Sequence, residues 1–260
     1  MAEHRVPIIE TMLGLLRHLE RSAGGMTVNE LARAAGAPRS SVYRVLNTLE
    51  ADGIVRRLAD GGRYVLGPRL IGLAARVPSV PGWADLAAGA GPHLRRLTAE
   101  LGLSSKLSVL DGDEVLCVAA VQSEEHMSIA VAVGQRFPLH AGAASKVLFA
   151  HLDEARRARL LARPLPAYTP RTVTDPERLQ AEFARIRRQG WAEDRGEFAL
   201  SGRAQAAPVR DGSGIVVAAV SAPFLADDQG SSEVARIREA VVTTAAAVTA
   251  LNPARERRVG

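Results

Sequence analysis

Residues 26–67 constrain this chain most, because their capping and turn signals leave room for one compact arrangement. Thr27-Val28-Asn29-Glu30 forms a capping box, in which the Thr hydroxyl and the Glu carboxylate each satisfy a backbone group left open at a helix start. A short helix over residues 31–35 should stop at Gly36, which tolerates a left-handed turn. Pro38 restarts a helix at once, since its missing N–H costs nothing in a first turn. In this second helix Val42, Val45, Leu46 and Leu49 recur at i, i+3, i+4 and i+7 and should face a core. The other face carries Arg39, Ser40, Tyr43, Arg44 and Asn47, residue types that bond phosphates and base edges. Two strands, 54–58 and 63–66, follow around Ala59-Asp60-Gly61-Gly62 as a hairpin tip and carry Arg56, Arg57 and Arg63. Helix, tight turn, second helix and basic hairpin together describe a winged helix-turn-helix, whose expected partner is double-stranded DNA.

Helix-turn-helix packing also serves dimerisation, so charge and arrangement must be weighed. Residues 1–70 hold ten Arg against seven acids, only a mild excess. The placement of Arg at the head of the second helix, one turn on and along the hairpin carries the assignment rather than the total. Arg44, Ser40, Tyr43 and Asn47 are the expected groove contacts, Arg39 the phosphate anchor, and Arg57 and Arg63 the contacts from the wing.

The 260 residues suffice for a second domain with its own core. A hydrophobic fraction of 47% and a charged fraction of 23% are ordinary for a globular protein. No apolar run has bilayer length and the short acidic start is no signal peptide, so the expected location is the cytoplasm and no membrane partner is expected. The single cysteine, Cys117, excludes an intrachain disulfide and a cysteine metal cluster. Lysine is scarce, with only Lys106 and Lys146.

A first helix over residues 7–22, with Ile9, Met12, Leu13, Leu16 and Leu19 on one face, should floor the winged helix. Residues 68–76 suit a linker helix, and Pro78 and Pro81 mark a boundary. The expected division is 1–67 for the DNA-binding domain, 68–81 for the linker and 82–254 for a second domain. There, a helix over 83–101 precedes a hairpin of strands 105–110 and 115–121 around Asp111-Gly112-Asp113. Residues 127–133 suggest a third strand and 134–138 the turn leaving it. Helices are expected over 141–151, 153–161 and from a cap at Thr174-Asp175-Pro176-Glu177 to Gly190, with strands at 204–209 and 215–221. A last helix over 232–251 carries Val234, Ile237, Val241, Ala245 and Val248 on one stripe. Hairpins flanked by helices indicate an α+β fold with an antiparallel sheet.

With these elements placed, the motifs resemble the IclR-type (isocitrate lyase regulator) transcriptional regulators. They are Ser40-Ser41-Val42-Tyr43-Arg44-Val45-Leu46-Asn47-Thr48-Leu49, Tyr64-Val65-Leu66-Gly67 and the run from Gly134 through Phe137-Pro138-Leu139-His140-Ala141-Gly142-Ala143-Ala144-Ser145-Lys146. Gly190-Trp191-Ala192-Glu193-Asp194 through Glu197 and the segment from Arg203 to Asp211 complete the set, in the same order along nearly the whole chain. The resemblance implies a winged helix, a linker helix and a C-terminal GAF-like effector domain. It also implies a homodimer or dimer of dimers on operator DNA, repressing or activating genes in response to a small molecule, often an organic acid or aromatic metabolite. Carried over by position, the effector-binding lining would be His140, Ala141, Gly142, Ala143, Asp194, Ala204 and Ser221. Ser145 and Ser201 stand where the family commonly has Gly, Ala204 where some members have Cys, and Ser221-Ala222-Pro223 shortens a Ser-Gly-Pro type ending, all near that lining.

No cofactor, metal or catalytic group is expected. An enzyme on a GAF-like fold would draw on Lys146, His140, Cys117 and Asp194, but no Ser/His/Asp order or phosphate loop appears. A metal sensor would need paired ligands, and the six histidines (His4, His18, His93, His126, His140, His151) are scattered. A DNA-binding architectural protein without a ligand would leave the patterned second domain without a purpose.

Overall fold

The computed structural model describes residues 6–20, 22, 24–59, 62–74, 83–125, 128–225 and 230–251. The chain divides into two compact units, Met1–Pro78 and Ser79–Gly260. In the first, α1 (Pro7–Glu20), α2 (Val28–Ala35) and α3 (Arg39–Ala51) precede β1 (Val55–Arg57), β2 (Tyr64–Leu66) and α4 (Arg69–Ala74). Thr27 caps α2 as a full capping box: its backbone N–H donates to Glu30 Oε2 at 2.8 Å, and the Glu30 N–H donates to its hydroxyl at 3.3 Å. Gly36 ends α2 at φ 59°, the left-handed region open to glycine. Leu15, Leu19, Leu31, Val42, Leu46, Val55 and Tyr64 form one buried cluster, so α3 turns the expected face inward.

The hairpin β1–β2 pairs antiparallel, and Met26 adds a bridge to Tyr64. A side chain at Gly67 would place its Cβ 2.1 Å from the Gly53 carbonyl oxygen, so only glycine lets the strand leave the hairpin along this path. The first helix packs with a different phase from that expected. Leu15 and Leu19 are buried and Met12 and Leu16 half-buried, whereas Ile9 (47% exposed) and Leu13 (42%) face outward. The helix is apolar on two sides, and periodicity alone does not say which side the core takes.

In the second unit, α5 (Trp83–Leu101), β3 (Ser105–Asp111), β4 (Glu114–Val121), β5 (Arg136–Pro138), α6 (Ala143–Ala150), α7 (Glu154–Leu161), α8 (Pro176–Gln189), β6 (Ala192–Asp194), β7 (Gly202–Arg210), β8 (Val216–Leu225) and α9 (Ser231–Ala250) follow. Six strands form one antiparallel sheet in the order β5-β4-β3-β8-β7-β6. Strand alternation separates its two faces. Leu107, Val109, Ala207, Val209, Ala218, Val220 and Phe224 pack on α5 and α9, with Ile237, Val241, Ala245 and Val248 from the expected α9 stripe. Val115, Ala206 and Ala219 pack on the other side against α6, α7 and α8.

Two strand expectations fail. Residues 128–132 form no strand, and residues 136–138, expected in a turn, form β5, paired with β4 through Leu116↔Arg136. The three-residue β6 was not anticipated. The N-cap of α8 is Asp175, whose side chain accepts from the Arg178 N–H at 2.7 Å, with Pro176 in the first turn. Residues 75–81 of the expected linker, Asp60 and Gly61 of the hairpin tip, Met127, His4, His126 and the tail beyond 251 lie outside the described residues.

Candidate functional site

Two surfaces carry polar chemistry, one in each unit. In the winged helix, α3 buries Val42, Val45, Leu46 and Leu49, and this forces Arg39, Ser40, Tyr43, Arg44 and Asn47 onto its exposed side. Tyr43 is 48% exposed, a high value for an aromatic side chain on a helix. In the wing, the Arg57 guanidinium lies 6.0 Å from the centre of the buried Tyr64 ring, at the limit of a cation–π contact. Arg63 is exposed, but its Nη1 donates to the Gly25 carbonyl at 3.1 Å, so part of its fork is committed to holding the hairpin. All seven residues selected in this unit are thus exposed.

In the second unit a cavity of about 150 Å³ lies between the sheet and the start of α6. Gly142, Ala143, Asp194, Ala204 and Ser221, five of the residues that the resemblance singled out, line it. Two residues of that set do not reach it. Ala141 is fully buried without lining the cavity, and His140 lines a separate one of about 400 Å³ beside Tyr168 and Arg163. His140 Nε2 is 2.8 Å from the Pro166 carbonyl oxygen and its ring packs 5.7 Å from that of Tyr168. Both residues belong to the bend over residues 139–142 that joins β5 to α6. Phe137 and Phe198, stacked edge to face at 5.4 Å, contribute to both cavities.

Small residues let α6 begin close to the sheet. Gly142 takes φ 104° as its N-cap and supplies no side-chain bond, so the first-turn N–H groups of Ala143, Ala144 and Ser145 have no cap. Such a helix start favours negative charge. Asp194 Oδ1 accepts from the N–H groups of Gly196 (3.0 Å) and Glu197 (2.8 Å), and burial nevertheless raises its pKa. Behind the cavity the fully buried Lys146 ammonium donates to Glu182 Oε1 at 2.7 Å and to Glu197 Oε1 at 2.5 Å. This pair of bonds ties α6 to α8 and to the segment after β6. Burial pushes the Glu197 carboxyl up to about 7, against the pull of Lys146.

Lys106 is among the cavity residues that sequence reasoning missed. It is 9% exposed, and its ammonium sits 3.5 Å from the centre of the Phe137 ring. Burial lowers its pKa to about 8, with the Cys117 thiol and the Asp194 carboxylate opposing the shift. The signal available was a lysine within a buried strand of a chain that has only two. Cys117 itself is buried and its thiol donates to the Ala119 carbonyl oxygen at 3.4 Å. Among the described residues no three His, Cys, Asp or Glu side chains converge as metal ligands, and no helix is long and apolar enough to cross a membrane.

Comparison with known proteins finds a match for each unit. Residues 10–59 match the IclR helix-turn-helix domain, and residues 82–250 match the family described as bacterial transcriptional regulator IclR C-terminal. The HTH-type transcriptional regulator Rv1719 of Mycobacterium tuberculosis is 35% identical over 218 residues, 84% of this chain and 82% of its own length. The transcriptional repressor IclR of Escherichia coli K12 is 33% identical over 202 residues, 76% of this chain and 73% of its own. A crystal structure of an IclR homologue from Microbacterium hydrocarbonoxydans, complexed with 4-hydroxybenzoate, superposes with a TM-score of 0.72 at 29% identity, covering 94% of this chain and 99% of that one. With both domains matched in order, the chain belongs to the IclR family of DNA-binding transcriptional regulators.

Proposed function

We propose that the winged helix binds operator DNA through the exposed side of α3. Ser40, Tyr43, Arg44 and Asn47 enter the major groove, Arg39 anchors a phosphate, and Arg57 and the free part of the Arg63 fork contact the backbone or minor groove from the wing. The observation that carries this reading is the segregation on α3, where Val42, Val45, Leu46 and Leu49 are buried and the hydrogen-bonding set is left outward. The chain acts as a homodimer, or a dimer of dimers, on a near-palindromic operator. Support comes from the apolar residues left exposed on α1 (Ile8, Ile9 and Leu13) and on α4 (Ile71 and Leu73), which a second copy would cover. The cavity beside α6 holds the effector, an organic or aromatic acid, as the 4-hydroxybenzoate of the Microbacterium homologue suggests for its relatives. An effector that prefers one arrangement of the second unit changes DNA affinity through the linker.

The test is selection of an operator from a random duplex library, followed by anisotropy titration of Arg44→Ala at several salt concentrations. Loss of about 10-fold or more, with relaxed preference at one base pair, supports a bidentate base contact. A uniform loss with a salt slope reduced by about one places Arg44 on phosphate. Unchanged affinity and slope remove the proposed face from the interface. Sedimentation of the protein with and without the operator reports the copy number.

A further inference from the structure

The cavity beside α6 contains a buried ammonium that, among the described residues, makes no hydrogen bond and no ion-pair contact. Lys106 on β3 and Ser221 on β8 are direct cross-strand partners, so their side chains stand together on the sheet face that α6 covers. Next along this row is Ala206, the partner of Ser221 on β7, which offers no polar atom. The Ser221 hydroxyl is buried and has no hydrogen-bond partner among the described residues. The Lys106 ammonium, which carries three donors, makes no hydrogen bond or ion pair among the described residues; its one close partner is the face of Phe137. Asp194 lines the same cavity but forms no ion pair with Lys106, and its Oδ1 is occupied by the Gly196 and Glu197 N–H groups. The uncapped start of α6 closes the opposite wall with positive polarity of its own. Buried charges are ordinarily paired, so this arrangement is complete only when an anion enters.

We infer that Lys106 determines the effector specificity of this protein: its ammonium, with the Ser221 hydroxyl, takes the carboxylate of a small monoanionic acid whose body is a single ring or its equivalent. The inference rests on the reading that this cavity is the effector site. Val115, Ile129, Phe137 and Phe198 supply apolar walls for the body. A cavity of about 150 Å³ matches the bulk of one benzene-sized ring and excludes a nucleotide or a disaccharide. Asp194 faces the same space and accepts from a hydroxyl on the ring, which favours hydroxylated acids over plain ones. Neutral amides and alcohols of the same shape leave the ammonium unpaired and bind weakly.

The probes are benzoate, 4-hydroxybenzoate and phenylacetate, with benzamide and benzyl alcohol as neutral counterparts, titrated calorimetrically into the full chain. At least one acid should bind, and its amide should bind about 10- to 100-fold more weakly, the range for a hydrogen bond to a charged group. Lys106→Met should lose a similar factor for the acid and lose the discrimination against the amide, while unfolding no lower than the natural protein. Lys106→Gln serves if the Met variant fails to fold. Ala204→Phe, which fills the cavity, should abolish binding. Equal acid affinity in natural and Lys106→Met proteins, with Ala204→Phe inactive, overturns the role of Lys106 while leaving the cavity as the site. Binding that survives Ala204→Phe overturns the cavity reading itself. Absence of binding by every acid at about 10 mM overturns the proposed ligand class.

Discussion

Replacing Lys146 by Met should be among the most damaging single changes to the second unit. The Met side chain fills nearly the same volume, so packing loss is small and the effect is electrostatic. Lys146 is fully buried and holds Glu182 and Glu197, whose side chains are themselves only 15% and 8% exposed. Asp194 lies close enough to respond to Lys146 as well. Removing one partner of a buried ion pair leaves uncompensated charge and costs about 3–5 kcal/mol. For a unit of this size each kcal/mol corresponds to about 2–4 °C, so the unfolding midpoint should fall by about 6–20 °C near pH 8. Thermal unfolding followed by near-ultraviolet circular dichroism gives the number. The double variant Lys146→Met/Glu197→Gln should recover part of the loss, because the second change removes one stranded carboxylate. The fall should also shrink near pH 5, where Glu197, with its pKa pushed up to about 7, carries a proton. A fall of the same size at both pH values, unrelieved in the double variant, would show that the damage is steric and refute the electrostatic argument.

Glu197 also sets a pH dependence with a definite sign. Its folded pKa, about 7, lies above the ordinary 4.5, so its contribution is full below about pH 4.5 and lost as pH rises through 7. That shift corresponds to about 3 kcal/mol at most. Glu197→Gln should therefore flatten the fall in stability between about pH 4.5 and 7; an unchanged slope assigns the titration elsewhere, Asp194 being the neighbour also raised by burial. In the winged helix, Gly67→Ala drives its Cβ against the Gly53 carbonyl and should cost about 1–3 kcal/mol, measured as a lower midpoint for the first unit alone. An unchanged midpoint would mean that the hairpin exit relaxes freely.

Much of the architecture was legible in local chemistry. The Thr27/Glu30 box, the left-handed Gly36 and the i, i+3, i+4, i+7 run on α3 are short-range signals, and each has a physical cause within a few residues. The long helices α5 and α9 were legible for the same reason, since many turns average out local ambiguity. What failed depends on distant partners. β5 and β6 have three residues each, too few for an alternation to register, and they exist because β4 and β7 offer them edges. Ile129 and Val131 look like strand residues but line the cavity instead. On α1, Ile9 and Leu15 compete for the core, and packing against α2 and β2 decides for Leu15. Of the cavity, Gly142, Ala143, Asp194, Ala204 and Ser221 followed from motif position, whereas Lys106 required knowing that β3 lies beside β8 and pairs it with Ser221.

The most direct test of a metabolite-responsive regulator is the dissociation constant for the selected operator, measured at one salt concentration with and without a saturating acid that occupies the cavity. The account predicts a change of about 5-fold or more in the natural protein, the usual scale of coupling between two sites. The same operator affinity with the cavity filled and empty would contradict it, leaving a DNA-binding protein whose ligand does not regulate it.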